Sequence, residues 1–357
     1  MSRIAAVSST FPPHRHSQED LADAAAALCA IQPAQRGLLD RLYANAGVRN
    51  RHTVLPMDDL RLLDGLGATN DLYIEHATAL GAQAVDQALR QAGVRPTDVD
   101  LFVTTSVTGV AVPSLDVRLV PLLGMRWDVR RIPIFGLGCV AGAAGLARVH
   151  DHLRAWPEHT AVLLAVELCS LNVPAADPSP SDLVASALFG DGAGAAVVRG
   201  DSCPFGPASG GAPLRIVATH SELCPATHDA LGWRLGSHGF RIVLSTELSE
   251  VLERELGVVV KRFLADHGLQ TSDIAAWIVH PGGPKVIDAV RDALDLPEEQ
   301  VATARASLAE VGNLSSASVL HVLEKTLAEP ATPPGPLVMV GLGPGVSIEL
   351  LLLERPA

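Results

Sequence analysis

The strongest constraint on the fold is that the chain repeats itself. QALRQAGVRPTDVDLFVTT, Gln87 to Thr105, resembles VKRFLADHGLQTSDIAAWIVH, Val260 to His280. Gly93 matches Gly268 and Asp98 matches Asp273, each at an offset of 175 (268 − 93; 273 − 98). Both copies read as an amphipathic helix stopped by glycine, a polar turn and a buried strand, so Thr105 and His280 end equivalent strands. At an offset of 174 (313 − 139), GCVAGAAGLARVHDHL meets GNLSSASVLHVLEKTL and sets Cys139 opposite Asn313. AVLLAV (Ala161 to Val166) then pairs with PLVMVG (Pro336 to Gly341), and FGDGAGAAVV echoes GLGPGVSIEL. Any α/β protein repeats a helix-turn-strand signature, but matches in one order at nearly one offset indicate duplication.

Alternating strands and helices predict an α/β protein of two pseudo-duplicated halves, 1–205 and 206–357, joined through the Gly/Pro-rich segment Cys203 to Pro213. A pseudo-twofold axis would gather equivalent helix starts at the centre, where Cys139, His280 and Asn313 can meet. The 48% apolar content supports one large buried body. With a net charge of −12 and scattered Lys and Arg, neither nucleic acid nor an anionic membrane surface is the expected partner. IAAV is too short for a signal-peptide core, and ELLLL falls far below the ~18 residues of a membrane span, so a cytoplasmic location is expected. Cys29, Cys139, Cys169, Cys203 and Cys224 show no paired spacing and read as free thiols.

Three residues carry chemistry. Cys139 opens a helix among glycines and alanines in FGLGCVAGAAG, where free N–H groups and the helix dipole are expected to lower a thiol pKa. The small neighbours leave room for substrate and let backbones approach. Taken alone, the segment fits a buried structural cysteine equally well. His280 ends the apolar strand AAWIV before the turn PGGP, a place where a lone histidine is more often structural. Asn313, in GNLSSAS, is either an N-cap or an amide donor to a developing oxyanion. The duplication favours the functional reading of all three. HRH (His14 to His16) and HDH (His150 to His152) place their histidines on different sides of a helix and lack a completing ligand cluster, so no metal is assigned. GLGPG lacks the lysine and setting of a phosphate loop.

FGLGCVAGAAG, VELCS, ALFGDGAGAAVV, VHPGGPKVI, EVGNLSSAS and the final GLGPG together resemble the type III polyketide synthases, the chalcone synthase superfamily on the thiolase fold, almost from end to end. The resemblance implies a layered αβαβα architecture, Cys139 as the acyl-carrying nucleophile, His280 as its partner and Asn313 as the third catalytic group. It implies acyl-CoA and malonyl-CoA (or a methylated homologue) as substrates, decarboxylative condensation, no metal or redox cofactor, and a homodimer. Phe189 and Phe240 match phenylalanines at the mouth of the substrate tunnel. Arg41 and Lys285 match positions that approach coenzyme A, although plant relatives carry more lysines around Arg41. Thr105, Val112, Cys169 and Leu342 match cavity positions. Val112 stands where plant relatives place a methionine reaching into the partner subunit, Cys169 replaces a threonine, and Leu342 replaces a phenylalanine.

These slim side chains predict an aliphatic starter, and FGLGCVAGAAG with VELCSLN looks most like bacterial alkylresorcinol and alkylpyrone synthases. The competing expectations are a ketoacyl synthase III-like enzyme fed by acyl carrier protein, an aromatic or malonyl-primed type III synthase, and a non-catalytic scaffold. The last would lose one of the three groups, and this chain retains them.

Overall fold

The computed structural model describes all residues except 30, 61, 64, 173–177, 204–213, 237–238, 246, 330–332 and 357. The expected joining segment lies outside the described residues from 204 onward, as does the 205/206 boundary. In chain order the strands are β1 (Ser2–Thr10), β2 (His14–Ser17), β3 (Asn50–Thr53), β4 (Leu101–Thr105), β5 (Arg130–Ile134), β6 (Thr160–Leu168), β7 (Asp191–Gly200), β8 (Leu214–Leu223), β9 (Leu231–Gly236), β10 (Gly239–Leu244), β11 (Ala276–Val279), β12 (Gly335–Gly343) and β13 (Ser347–Arg355). Nine of them form one sheet in the order β11-β12-β13-β8-β1-β7-β6-β4-β5.

That order displays the duplication. Outward from the centre, β1, β7, β6 and β4 answer β8, β13, β12 and β11. The halves join where Ser2–Ile4 of β1 run antiparallel to Leu214–Ile216 of β8. Among the described residues β5 has no counterpart. β2 pairs with β3, and β9 with β10, as separate two-stranded sheets.

Strand alternation sorts the apolar residues into layers. Leu163 and Ala165 of β6 join Leu337 and Met339 of β12 in a central core around the helices Ala141–Ala155 and Ser318–Ala328. Val162, Leu164 and Val166 face outward against the long helix Gly65–Ala92, while Val338 and Val340 face Leu248–Ala265 on the other side. The result is helix, sheet, helix pair, sheet, helix, the expected αβαβα succession. The middle layer is thin because its helices are made of small residues. A Cβ on Gly142 would lie 2.2 Å from the Ser316 carbonyl oxygen, and one on Gly145 would lie 2.6 Å from Leu163 Cδ1.

Candidate active site

The glycines around Cys139 are there for contact as well as space. Cys139 sits in the short 3-10 turn Gly138–Val140 that leads into Ala141–Ala155. Gly138 holds φ +58°, where a Cβ would strike Pro344 at 2.6 Å. From the other side, a Cβ on Gly343 would lie 2.7 Å from the Val140 nitrogen. GLGPG therefore forms the floor beneath the Cys139 turn.

The Asn313 turn packs against it as the duplication requires. The Cys139 thiol donates to Ser315 Oγ at 3.6 Å. Asn313 is fixed at both backbone atoms: its N–H donates to the Leu188 carbonyl at 2.8 Å, and its carbonyl accepts from the Gly190 N–H at 3.0 Å. Its Oδ1 accepts from the Ser315 N–H at 2.9 Å and the Ser318 hydroxyl at 3.1 Å. Nδ2 donates one hydrogen to the Gly282 carbonyl at 3.1 Å, which leaves the other for a ligand. Ser315 occupies the left-handed region at φ 50°, a strained conformation held by these bonds.

His280 ends β11 with its N–H on the Val340 carbonyl at 2.9 Å. A side chain on Gly282 would come within 3.5 Å of its Nε2, so the residue that anchors the Asn313 amide also flanks the imidazole. His280 Nδ1 is buried with no hydrogen-bond partner among the described residues.

Electrostatics depart from the local reading of the sequence. Burial pushes the Cys139 thiol up to about 12, and burial pushes the His280 imidazole down to about 4. Desolvation is the largest influence on both groups, and it favours the neutral thiol and the neutral imidazole. Alkylation of Cys139 by iodoacetamide is accordingly expected to quicken with pH through pH 8 to 10. A rate already at its plateau below pH 7 would show a preformed thiolate-imidazolium pair.

A carboxylate not anticipated from the sequence braces the site. Glu167 is fully buried in β6 and accepts from Ser316 Oγ at 2.5 Å, the Val107 N–H at 3.0 Å, Thr108 Oγ1 at 2.9 Å and Ser106 Oγ at 3.2 Å. Burial raises its pKa. The available signal was a single acid within the apolar run TAVLLAVEL.

A small cavity beside the site is lined by Cys169, Asn172, Asp182, Ala185, Ser186, Phe189, Trp233 and Ile242. Phe189 and Cys169 were expected there; Trp233 was not. Its ring lies 5.8 Å from that of Phe189. Phe240 faces the Phe135 ring at 6.3 Å, and Ile242, two residues along the same strand face, lines the cavity wall. Leu342 belongs to the outer core with Val346 and Ile348, Thr105 is buried at the end of β4, and Val112 is 90% exposed. Arg41 and Lys285 are exposed on the helices Pro33–Asn45 and Pro284–Ala293, which approach where a Cβ on Gly47 would touch Pro284 at 3.0 Å. HRH also differs from expectation, because it forms β2 and so turns both histidines to one face; His16 Nε2 pairs with Thr53 Oγ1 at 3.1 Å. No metal-binding cluster occurs among the described residues.

Residues 1–202 match the family "Chalcone and stilbene synthases, N-terminal domain", and residues 215–355 match the corresponding C-terminal domain. A 1,3,6,8-tetrahydroxynaphthalene synthase of Streptomyces peucetius subsp. caesius is 49% identical over 352 residues, covering 98% of this chain and 92% of the relative. An alpha-pyrone synthesis polyketide synthase-like protein of Mycobacterium tuberculosis is 32% identical over 346 residues, 95% of this chain and 87% of its own length. The crystal structure of 1,3,6,8-tetrahydroxynaphthalene synthase from Streptomyces coelicolor A3(2), a bacterial type III polyketide synthase, superposes with a TM-score of 0.92 at 33% identity and covers 99% of each chain.

Proposed function

Because the chain belongs to the chalcone and stilbene synthase family and is a type III polyketide synthase, an acyltransferase on the thiolase-like fold, we propose that it primes and extends with malonyl-CoA alone and closes the product to 1,3,6,8-tetrahydroxynaphthalene. The observation that carries this reading is the 49% identity over 98% of the chain to a synthase of that name. The name itself implies the chain length: ten ring carbons with oxygens on alternate positions correspond to five two-carbon units. The expectation of a long aliphatic starter rested on three slim residues. Of these only Cys169 lines the described cavity, where Trp233 and Phe189 take up space.

In this mechanism the Cys139 sulfur attacks the starter thioester, His280 takes the thiol proton, and coenzyme A leaves as its thiol once that proton is returned. A second malonyl-CoA loses carbon dioxide, and the enolate oxygen so formed accepts hydrogen bonds from His280 and Asn313. The enolate carbon then attacks the Cys139 thioester, its acyl carbon–sulfur bond breaks, and Cys139 leaves as the thiolate while the lengthened chain stays on coenzyme A. No metal or redox cofactor enters. The exposed Arg41 and Lys285 would meet the coenzyme A phosphates.

Incubation with malonyl-CoA alone should yield tetrahydroxynaphthalene by mass spectrometry, with no alkylated product when starters of six to sixteen carbons are added. Products that retain the fatty chain would restore the alkylresorcinol or alkylpyrone reading. Activity only with malonyl carrier protein would favour the ketoacyl synthase III-like alternative.

The homodimer is proposed from the edge of the sheet. β5 ends it, is exposed along Arg130–Pro133, and runs into Phe135 (57% exposed) and Leu137 just before Cys139. Val112 and Trp127 add apolar surface that water would otherwise cover. Light scattering is expected to give twice the chain mass of 37.3 kDa.

A further inference from the structure

The β9–β10 hairpin lies outside the main sheet, yet it supplies two walls of the cavity, Trp233 and Ile242. Its base is tied to the body where the Gly345 N–H donates to the Leu231 carbonyl at 2.9 Å and the Ser181 hydroxyl to the Leu244 carbonyl at 3.4 Å. Toward its tip the polar attachments are different. The Phe240 N–H donates to Asn172 Oδ1 at 3.3 Å, and Arg241 Nη2 meets Asp182 Oδ2 at 3.2 Å. Asp182 is itself a cavity residue, on the helix Pro180–Leu188 that ends at Phe189. Its side chain is 3% exposed, whereas that of Arg241 is half exposed.

We propose that the Asp182–Arg241 ion pair is a latch that holds the hairpin, and with it Trp233 and Ile242, against Phe189, and thereby sets how long a chain the cavity accommodates before release. The pair bridges the two elements that form opposite walls, with the charge of a buried carboxylate as its anchor and an accessible guanidinium as its movable part. Opening it leaves the cysteine, histidine and asparagine turns untouched, because among the described residues the bonds of the pair run to Ser179 and to each other and not to those turns. The pair is a positioning device, and its effect is read in product length. This inference rests on the polyketide-forming chemistry of the family and not on the identity of the final product.

Asp182 has a second role that the test must separate. With Ser179 it forms a reciprocal cap: Asp182 Oδ2 accepts from the Ser179 N–H at 2.9 Å and its hydroxyl at 2.8 Å, and the Asp182 N–H returns a bond to Ser179 Oγ at 3.2 Å. Arg241→Met breaks the latch and spares the cap; Ser179→Ala weakens the cap and spares the latch. With the full-length enzyme and malonyl-CoA, Arg241→Met is expected to shift the ratio of the main product to chains of other lengths by about fivefold, with Cys139 acylation at the normal rate. Ser179→Ala should leave that ratio unchanged, and Arg241→Lys should recover most of it. A normal product ratio in Arg241→Met, or equal shifts in Arg241→Met and Ser179→Ala, overturns the latch. If the unaltered enzyme makes a product other than tetrahydroxynaphthalene, the proposed function fails, and the comparison of chain lengths still decides the latch.

Discussion

Asn313→Ala is expected to keep acyl loading onto Cys139 while malonyl decarboxylation and extension fall by about 10²–10³, the usual cost of removing one oxyanion donor. The division follows from geometry: Asn313 Nδ2 has one hydrogen on the Gly282 carbonyl and one to spare, and no bond from Asn313 reaches the Cys139 sulfur, which donates to Ser315. Because Ala also removes the acceptor for the Ser315 N–H and the Ser318 hydroxyl, Asn313→Asp serves as the companion variant, retaining Oδ1 while replacing the donor with a charged oxygen that repels the enolate. Mass spectrometry of the acylated peptide and measurement of released carbon dioxide separate the two steps. Parallel loss of both in both variants would assign Asn313 to thiol activation as well.

Glu167→Ala should cost about 1–3 kcal/mol for each donor it leaves unsatisfied, read as a lowered urea midpoint. The carboxylate is the common acceptor for donors from two places, the Ser106–Thr108 loop and the Ser316 turn, and all of them are buried. Its removal strands those donors in a dry interior. Glu167→Gln, which keeps one acceptor oxygen, should lose less. A loss below about 1 kcal/mol for the alanine variant would mean that solvent enters and satisfies the loop.

The sequence displayed the duplicated plan because each half had to build the same buried layers. Strand periodicity and glycine-stopped helices are local, so β4 and β11, and the Cys139 and Asn313 turns, were readable side by side. What depends on position along an element was less legible. Phe240 and Ile242 are both apolar and on one strand face, and nothing local says which of the two reaches the cavity. Trp233 sits in a short hairpin whose placement is set by Asp182 and Asn172, far away in sequence. The desolvation acting on Cys139 was illegible for a related reason: a helix start is visible in six residues, whereas burial is imposed by GLGPG and GNLSSAS some two hundred residues later. Glu167 could have been found, since a lone acid in an apolar strand must have partners.

The asymmetry of the nine-stranded sheet has a consequence for growth. A perfectly duplicated sheet would present two equivalent free margins and could add further copies at both without limit. Here one margin, β11, is buried along Trp277–Val279, and the other, β5, is the strand that lacks a duplicate. Only one margin is open, so copies joined strand to strand must use the same margin twice, and such a contact consumes itself. In the proposed homodimer, the departure from symmetry at β5 would thus make a finite particle out of a sheet whose internal repetition would otherwise favour a filament.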